Sequence, residues 1–531
     1  MDIQRLTTIQ APPVDRLHND ILWHIFTLNT DVKGFQQSFN RPVRFQERHP
    51  ISITRCSSQV CRKWRGVIVA SPSIWASLID LDVFNTRKDD RWMDEVMRRS
   101  GKSCLSVIGG RDPNTDWGRH PASRKFFISL LTNHWARVRN FDIVFKTSDF
   151  DASLWNVFWT TPSPHLEAFI FKNVVRASPF PPQFQSEGDV LFSNHAPLLR
   201  VFQGWSIRFD YRASWIGNLR DLTLTFILNV QEALDVLSQA PGLEKVALFP
   251  CEVNSAVHVP HHLPKVSLPR LQHIVIRGMV VEVATLLGRI IPAAICELEV
   301  HLGRSEGNTP EAQACFRNLV LLVFQFIDRS FKAMGVTECS VEVASSFFRC
   351  TVPRVGAADC APFIIVFQTN SPIHLGLIFP ARYSKAITSM IFIPRVEHPD
   401  PTRDTFLLSI VSVKTLVLSP LAVVHIEELS RENGLIWPLL NEVELRYLGP
   451  LDRRTQDNLV SFLLRRQRAG VPVVFDITNR GSIGRRKTNW ALLDDVEGLK
   501  VIWKDSGAVL EYICGSGHPE RLDFSSDSEL Y

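Results

Sequence analysis

Several signatures are missing from this chain of 531 residues, and each absence closes a possibility. The ten cysteines are scattered with no Cys-x-x-Cys among them, so neither a zinc ribbon nor a thioredoxin-like site is indicated. Cys296, Cys315 and Cys339 stand in apolar text and read as buried thiols. There is no Asn-x-Ser/Thr sequon, and MDIQRLTTIQAPP lacks the apolar core of a signal peptide. The expectation is a protein with reduced thiols in the cytoplasm, the nucleus or both. Membrane-spanning runs are lacking too. Leu319 to Ile327 is too short to span. Leu407 to Ile426 is interrupted by Lys414, Pro420 and His425, and reads as a helix or loop, a strand and another helix. Charge of one sign is scarce: 59 Lys and Arg against 54 Asp and Glu leave +5, too little to argue for nucleic acid or an anionic membrane as partner.

Catalytic signatures are equally sparse. No Gly-x-Ser-x-Gly elbow and no Walker-type loop occurs. Cys251, His258, His261 and His262 lie in Pro-rich text without a second ligand pair, and read as a surface loop. Asp494-Asp495 and Glu427-Glu428 read as solvated faces, and the basic run Arg480 to Lys487 as a solvated loop. No catalytic, metal-binding or cofactor-binding residue is assigned.

What is present is a core-forming composition, 45% hydrophobic and 21% charged, and a distinctive opening. From Ser57 to Leu81 the chain reads as two helices joined at Pro72. Val60, Trp64, Val67 and Ile68 recur at helical spacing, with Arg62, Lys63 and Arg65 on the wet faces. Ser57 or Ser58 is the expected N-cap. Pro72 ends the first helix near Ser71 and starts the next, which carries Ile74, Trp75 and Leu78. Upstream, Leu17, Ile21, Leu22, Ile25 and Phe26 form an apolar stripe on one helix.

This order resembles the F-box, particularly the divergent F-boxes of basidiomycete fungi. Leu17, Asp20, Ile21, Leu22, Ile25 and Phe26 match the family's first helix, with His18 where the family usually has Pro. Val60, Cys61, Arg62 and Trp64 match its Val-Cys-(Arg/Lys)-x-Trp. Pro72, Ile74 and Trp75 match its Pro-x-(Leu/Ile)-Trp. Thr30 to Arg55 reads as an insert longer than in a compact F-box. The resemblance implies docking on a Skp-type adaptor, and through it on a cullin scaffold, by Leu17, Ile21, Leu22, Ile25, Phe26, Val60, Trp64, Pro72, Ile74 and Trp75.

Beyond this head, Trp92, Val96 and Met97 suggest a helix ended by Ser100-Gly101, and Cys104 to Ile108 alternates as a strand does. Then a pattern of apolar-x-x-apolar-x-apolar recurs. It appears at Leu166, Leu219, Leu243, Leu271 and Ile295, and again at Ile387, Val413 and Leu440. The steps of 24, 28 and 24 residues, and later of 26 and 27, fall in the range of leucine-rich repeats. Helix-like text follows many cores, as at Gln231 to Gln239 and Val281 to Arg289. Between Val300 and Ile387 the spacing is irregular, with strand-like text at Ser340 to Ala344 and Phe363 to Phe367.

The expected architecture is α/β: a flexible arm over 1–13, a helical F-box-like module over 14–81, a divergent leucine-rich-repeat-like solenoid over 82–514, and an acidic disordered tail over 515–531. Trp205 or Trp215 would face a protein partner from the concave side. The expected function is non-catalytic: the substrate receptor of a cullin–RING ubiquitin ligase, holding an unidentified target protein. The alternative is a scaffold solenoid, capped by the same helices, with no link to ubiquitin.

Overall fold

The computed structural model describes residues 17–30, 49–84, 91–111, 116–145, 152–173, 190–205, 207, 209–225, 229–249, 263–303, 310–344, 347–353, 362–368, 379, 381–394, 401–446, 451–478, 489–505 and 508–524. The chain divides into two compact units, Met1–Cys251 and Glu252–Tyr531. Both are mixed α/β. The expected arm over 1–13 lies outside the described residues.

The first unit opens with helices α1 (Asn19–Leu28), α2 (Pro50–Val60), α3 (Arg62–Val69) and α4 (Pro72–Ala76). His18 caps α1, its imidazole accepting the Asp20 N–H at 3.4 Å. The insert expected from Thr30 to Arg55 therefore closes early, because Pro50 already sits in the first turn of α2 with His49 as its cap. The single helix expected from Ser57 to Ser71 is two. Cys61 is extended, with φ −153° and ψ 167°, which no helix can pass through. Its Sγ accepts the Trp64 N–H at 3.5 Å, in the N-cap role expected of Ser57 or Ser58. Val60 thus ends α2 and does not share a helix with Trp64.

β1 (Ile79–Asp80) follows α4 after two residues, so the last residues of the expected head already belong to the sheet. β1 pairs with β2 (Leu105–Gly109), and β3 (Val138–Phe145), β4 (Ala168–Asn173), β5 (Val201–Trp205), β6 (Asp221–Thr225) and β7 (Lys245–Phe249) are added in chain order. Every pairing in this run is parallel. Register sets like on like: Phe141, Phe169, Phe202, Leu222 and Val246 occupy one column and are all buried. Phe141 stacks on Phe169, and Phe169 on Phe202, each with ring centroids 5.5 Å apart. Burying each such ring contributes about 1.5–3 kcal/mol. Trp215 joins this core against Phe202 and is buried, which corrects the expectation that it faces a partner. Trp205 is half-buried, with the Lys172 ammonium 5.6 Å from its ring centre.

The turn after β2 is held electrostatically. The Asp82 carboxylate accepts the N–H groups of Gly110 at 2.9 Å and Arg111 at 2.8 Å, while the Arg111 side chain pairs with buried Asp142. Gly110 has φ +78°, and a Cβ there would lie 1.9 Å from the Val144 oxygen, so glycine is required.

In the second unit, β9 (His273–Gly278), β11 (Glu297–Leu302) and β14 (Phe363–Gln368) are parallel neighbours. A short side pair joins β8 (Val266–Leu268) to β10 (Ile290–Pro292). The irregular spacing after Val300 has a cause. β12 (Cys339–Ala344), β13 (Phe347–Val352) and β14 form an antiparallel meander that runs backwards through the sheet, so that β12 and not β14 meets β15 (Ile387–Ile393). Parallel order then resumes through β16 (Thr415–Leu418), β17 (Glu442–Leu445), β18 (Val474–Asp476) and β19 (Lys500–Asp505). β20 (Ala508–Ile513) turns back antiparallel on β19.

Sequence cores map onto buried positions here too, with one shift. Ile295 is exposed, and Cys296 takes the inward place before Leu298 and Val300. The Leu407 to Ile426 stretch divides as expected, into α-helical Pro401–Ser409, β16 and α-helical Pro420–Asn433. Glu427 departs from its expected solvated face. It is fully buried, and one of its oxygens accepts Ser461 Oγ at 2.6 Å and the Arg465 guanidinium at 2.9 Å. Arg466 is buried beside it, donating to the carbonyls of Ile436, Trp437 and Leu440 at 2.9–3.2 Å. Burial pulls its guanidinium down to about 10. The disordered tail expected over 515–531 is overturned up to 524, since Leu522 is buried and its carbonyl accepts the Trp490 N–H at 3.0 Å, and 525–531 lie outside the described residues.

Candidate functional site

The helical opening divides its apolar residues between two tasks. On α1, Leu22 and Phe26 are one turn apart and buried. Phe26 meets the half-buried Trp64 of α3 edge to face, with centroids 5.1 Å apart. Ile21, Ile25 and Leu28 are spaced four and three residues apart on the same helix, and are 50%, 39% and 64% exposed. Among the described residues of the unit, none covers this stripe fully. Trp23, Val60 and Val69 are also exposed apolar residues of the opening.

Of the residues expected to dock an adaptor, the structure therefore buries Leu22, Phe26, Ile74 and Trp75. It half-buries Leu17 and Trp64, and exposes Ile21, Ile25, Val60 and Pro72. Leu17 is tied down through its carbonyl, which accepts the Lys63 ammonium at 2.7 Å. That contact, joining the start of α1 to α3, corrects the expectation of a fully wet Lys63.

Trp75 is the pivot of the buried set. Its indole N–H donates to the Ile68 carbonyl at 2.9 Å, and its ring meets Trp92 of α5 (Arg91–Ser100) at 6.1 Å. The Arg99 guanidinium lies 4.4 Å from the Trp75 ring centre. Glu95 holds Arg99 there at 2.6 Å and Arg98 at 2.7 Å, and these bonds hold its carboxyl down at about 2. A second tie is the fully buried pair of His49 Nε2 and Asp80 at 2.9 Å, which links the start of α2 to β1. The helices of the opening are thus fastened to the first strands within one unit.

Sequence reasoning passed over Leu28, Trp23, Arg99 and the His49–Asp80 pair. Leu28 continues the period from Ile21 and Ile25 and was legible from spacing. The His49–Asp80 pair spans 31 residues and has no local signal.

Elsewhere, a pocket of about 410 Å³ in the second unit is lined by Asp457, Ser461, Leu464, Arg465, Arg468 and Asp495, among others. Two of these lining residues, Ser461 and Arg465, donate to the buried Glu427 carboxylate. Among the described residues, no group of three His, Cys, Asp or Glu could hold a metal ion. Cys251, His258, His261, His262 and the Arg480 to Lys487 run lie outside the described residues. No described helix is long and apolar enough to cross a membrane. No protein-family model matches the chain, and no curated protein matches it.

Proposed function

We propose that the chain is a non-catalytic substrate receptor of a cullin–RING ubiquitin ligase, whose opening helices dock on a Skp-type adaptor. The observation that carries this reading is the division of labour on α1: Leu22 and Phe26 complete the unit's own core while Ile21, Ile25 and Leu28 remain outside it. A helix that needed only to fold would leave a polar outer face. An uncovered apolar stripe of this kind suits a partner. Among the ten residues expected to dock, Ile21 and Ile25 are the ones assigned to the interface, and Leu22, Phe26, Ile74 and Trp75 to its support.

We also propose that the parallel strands added in chain order form a divergent leucine-rich-repeat-like stack in each unit, and that this stack binds the target protein. The in-register apolar columns support it, since each strand buries its apolar side chains against those of the next. The mechanism is proximity. Holding a target lysine beside a ubiquitin thioester raises its effective concentration and requires no catalytic group from this chain.

Co-purification of the full chain with a Skp-type adaptor at micromolar concentration tests the reading. Retention of the adaptor supports it, and a chain that emerges free of adaptor favours the scaffold alternative.

A further inference from the structure

Two adjacent residues of α3 grip opposite ends of α1. Trp64 meets Phe26 in the last turn of the helix. Lys63 reaches across 46 residues of sequence to the Leu17 carbonyl, just ahead of the His18 cap, at 2.7 Å. Ile21 and Ile25 lie between the two grips, and Leu28 follows the second.

α1 depends on such ties. Its ten residues fall short of the roughly 12–15 that an isolated helix needs in water, so the rest of the unit holds it. Leu22 and Phe26 supply buried apolar contact, which has no direction of its own. The bond from the Lys63 ammonium has one, and it is partly buried. The place of Lys63 is otherwise unfavourable. It stands second in α3, between Arg62 and Arg65, in a first turn without an acidic residue. There the positive end of the helix dipole repels a cation.

We infer that Lys63 is a positioning residue. Its bond to Leu17 seats α1 and thereby sets the direction in which Ile21, Ile25 and Leu28 face. Its part in docking rests on the adaptor-binding reading above, whereas its seating of α1 does not.

Full-length wild type, Lys63→Met and Lys63→Arg test this. Met keeps the aliphatic stem and removes the donor, and Arg restores a donor. In the free chain, amide exchange over residues 19–28 is expected to quicken about tenfold in Lys63→Met and to return toward wild type in Lys63→Arg. The main melting transition should be unchanged in both. Calorimetric titration with a Skp-type adaptor is expected to follow the same order, about tenfold weaker for Lys63→Met, because only the seated helix presents the stripe. Wild-type exchange over α1 in Lys63→Met would overturn the inference. Weak binding beside unaltered exchange would place Lys63 in the interface itself and overturn it equally. A loosened α1 with undiminished affinity would remove Lys63 from docking. A wild-type chain that ignored the adaptor would sink the docking reading, and exchange in the free chain would still decide whether Lys63 seats α1.

Discussion

The Trp75 indole donates to the Ile68 carbonyl at 2.9 Å, and this bond locks the short helix α4 beneath the end of α3. Trp75 is buried, so Phe at this position keeps most of the apolar contact but strands the carbonyl. Trp75→Phe is expected to cost about 1–3 kcal/mol and Trp75→Ala about 3–5 kcal/mol. Urea denaturation monitored by circular dichroism checks both. Equal losses would mean that the hydrogen bond carries the whole effect.

The Phe column of the first unit makes a second prediction. Phe169 is sandwiched between Phe141 and Phe202 in adjacent strands. Phe169→Ala removes the middle of the stack and is expected to cost about 3–5 kcal/mol. Phe169→Leu keeps apolar volume and should cost clearly less. Thermal melting of the two variants orders them.

Acid stability has a local contribution with a defined sign. Bonds to Arg98 and Arg99 depress Glu95 from 4.5 to about 2. Its folded value lies below its unfolded value, so its stabilising contribution is present above pH 4.5 and is lost as pH falls through about 2. Glu95→Gln should therefore flatten the wild-type loss of stability over that window and leave the neutral-to-alkaline limb unchanged. Midpoints of urea unfolding between these pH values test it. Parallel acid limbs in the two proteins would count against it.

Thiol reactivity should follow burial. Cys296 and Cys514 are buried, and burial pushes both thiols up to about 12. Cys56 and Cys104 are exposed. Brief alkylation of the native chain at neutral pH is expected to label Cys56 and Cys104 and spare the other two, read by peptide mass spectrometry. Labelling of Cys296 before Cys104 would mean that β11 opens readily.

Local signals were read well where they were local. The alternation up to Ile108 and the helix ending at Ser100 became elements, and the last two apolar residues of each recurring core lie in a strand, because each depends on a few neighbouring side chains. Val138-x-x-Phe141-x-Ile143 fits the same pattern and is equally buried, but sequence reasoning passed over it, whereas Leu499-x-Val501-x-Trp503 is buried and departs from the pattern by one residue of spacing. The reversal between Val300 and Ile387 escaped because direction of pairing is not written in apolar periodicity. A strand alternates in the same way whether its neighbour runs parallel or antiparallel.

The candidate site was half legible. Periodicity marks Ile21, Leu22, Ile25 and Phe26 as one apolar set, but the set is wider than a single buried face. Which members turn inward is decided by packing against later helices, as Phe26 does against Trp64, 38 residues further along the chain. The break at Cys61 was hidden for a different reason. Cysteine is an uncommon N-cap, and Val60, Trp64 and Ile68 fit an uninterrupted helix equally well.

Titration calorimetry of a Skp-type adaptor into the full chain, comparing wild type with Ile21→Glu/Ile25→Glu, is the most direct test of the proposed docking. Both positions are exposed, so the double variant should melt within about 0.5 kcal/mol of wild type, whereas Leu22→Ala should lose about 2–5 kcal/mol. The account predicts binding by wild type and at least about a hundredfold loss, about 2.7 kcal/mol, in the folded double variant. A wild-type chain that gives no heat of binding, or a double variant that binds as tightly, would contradict it.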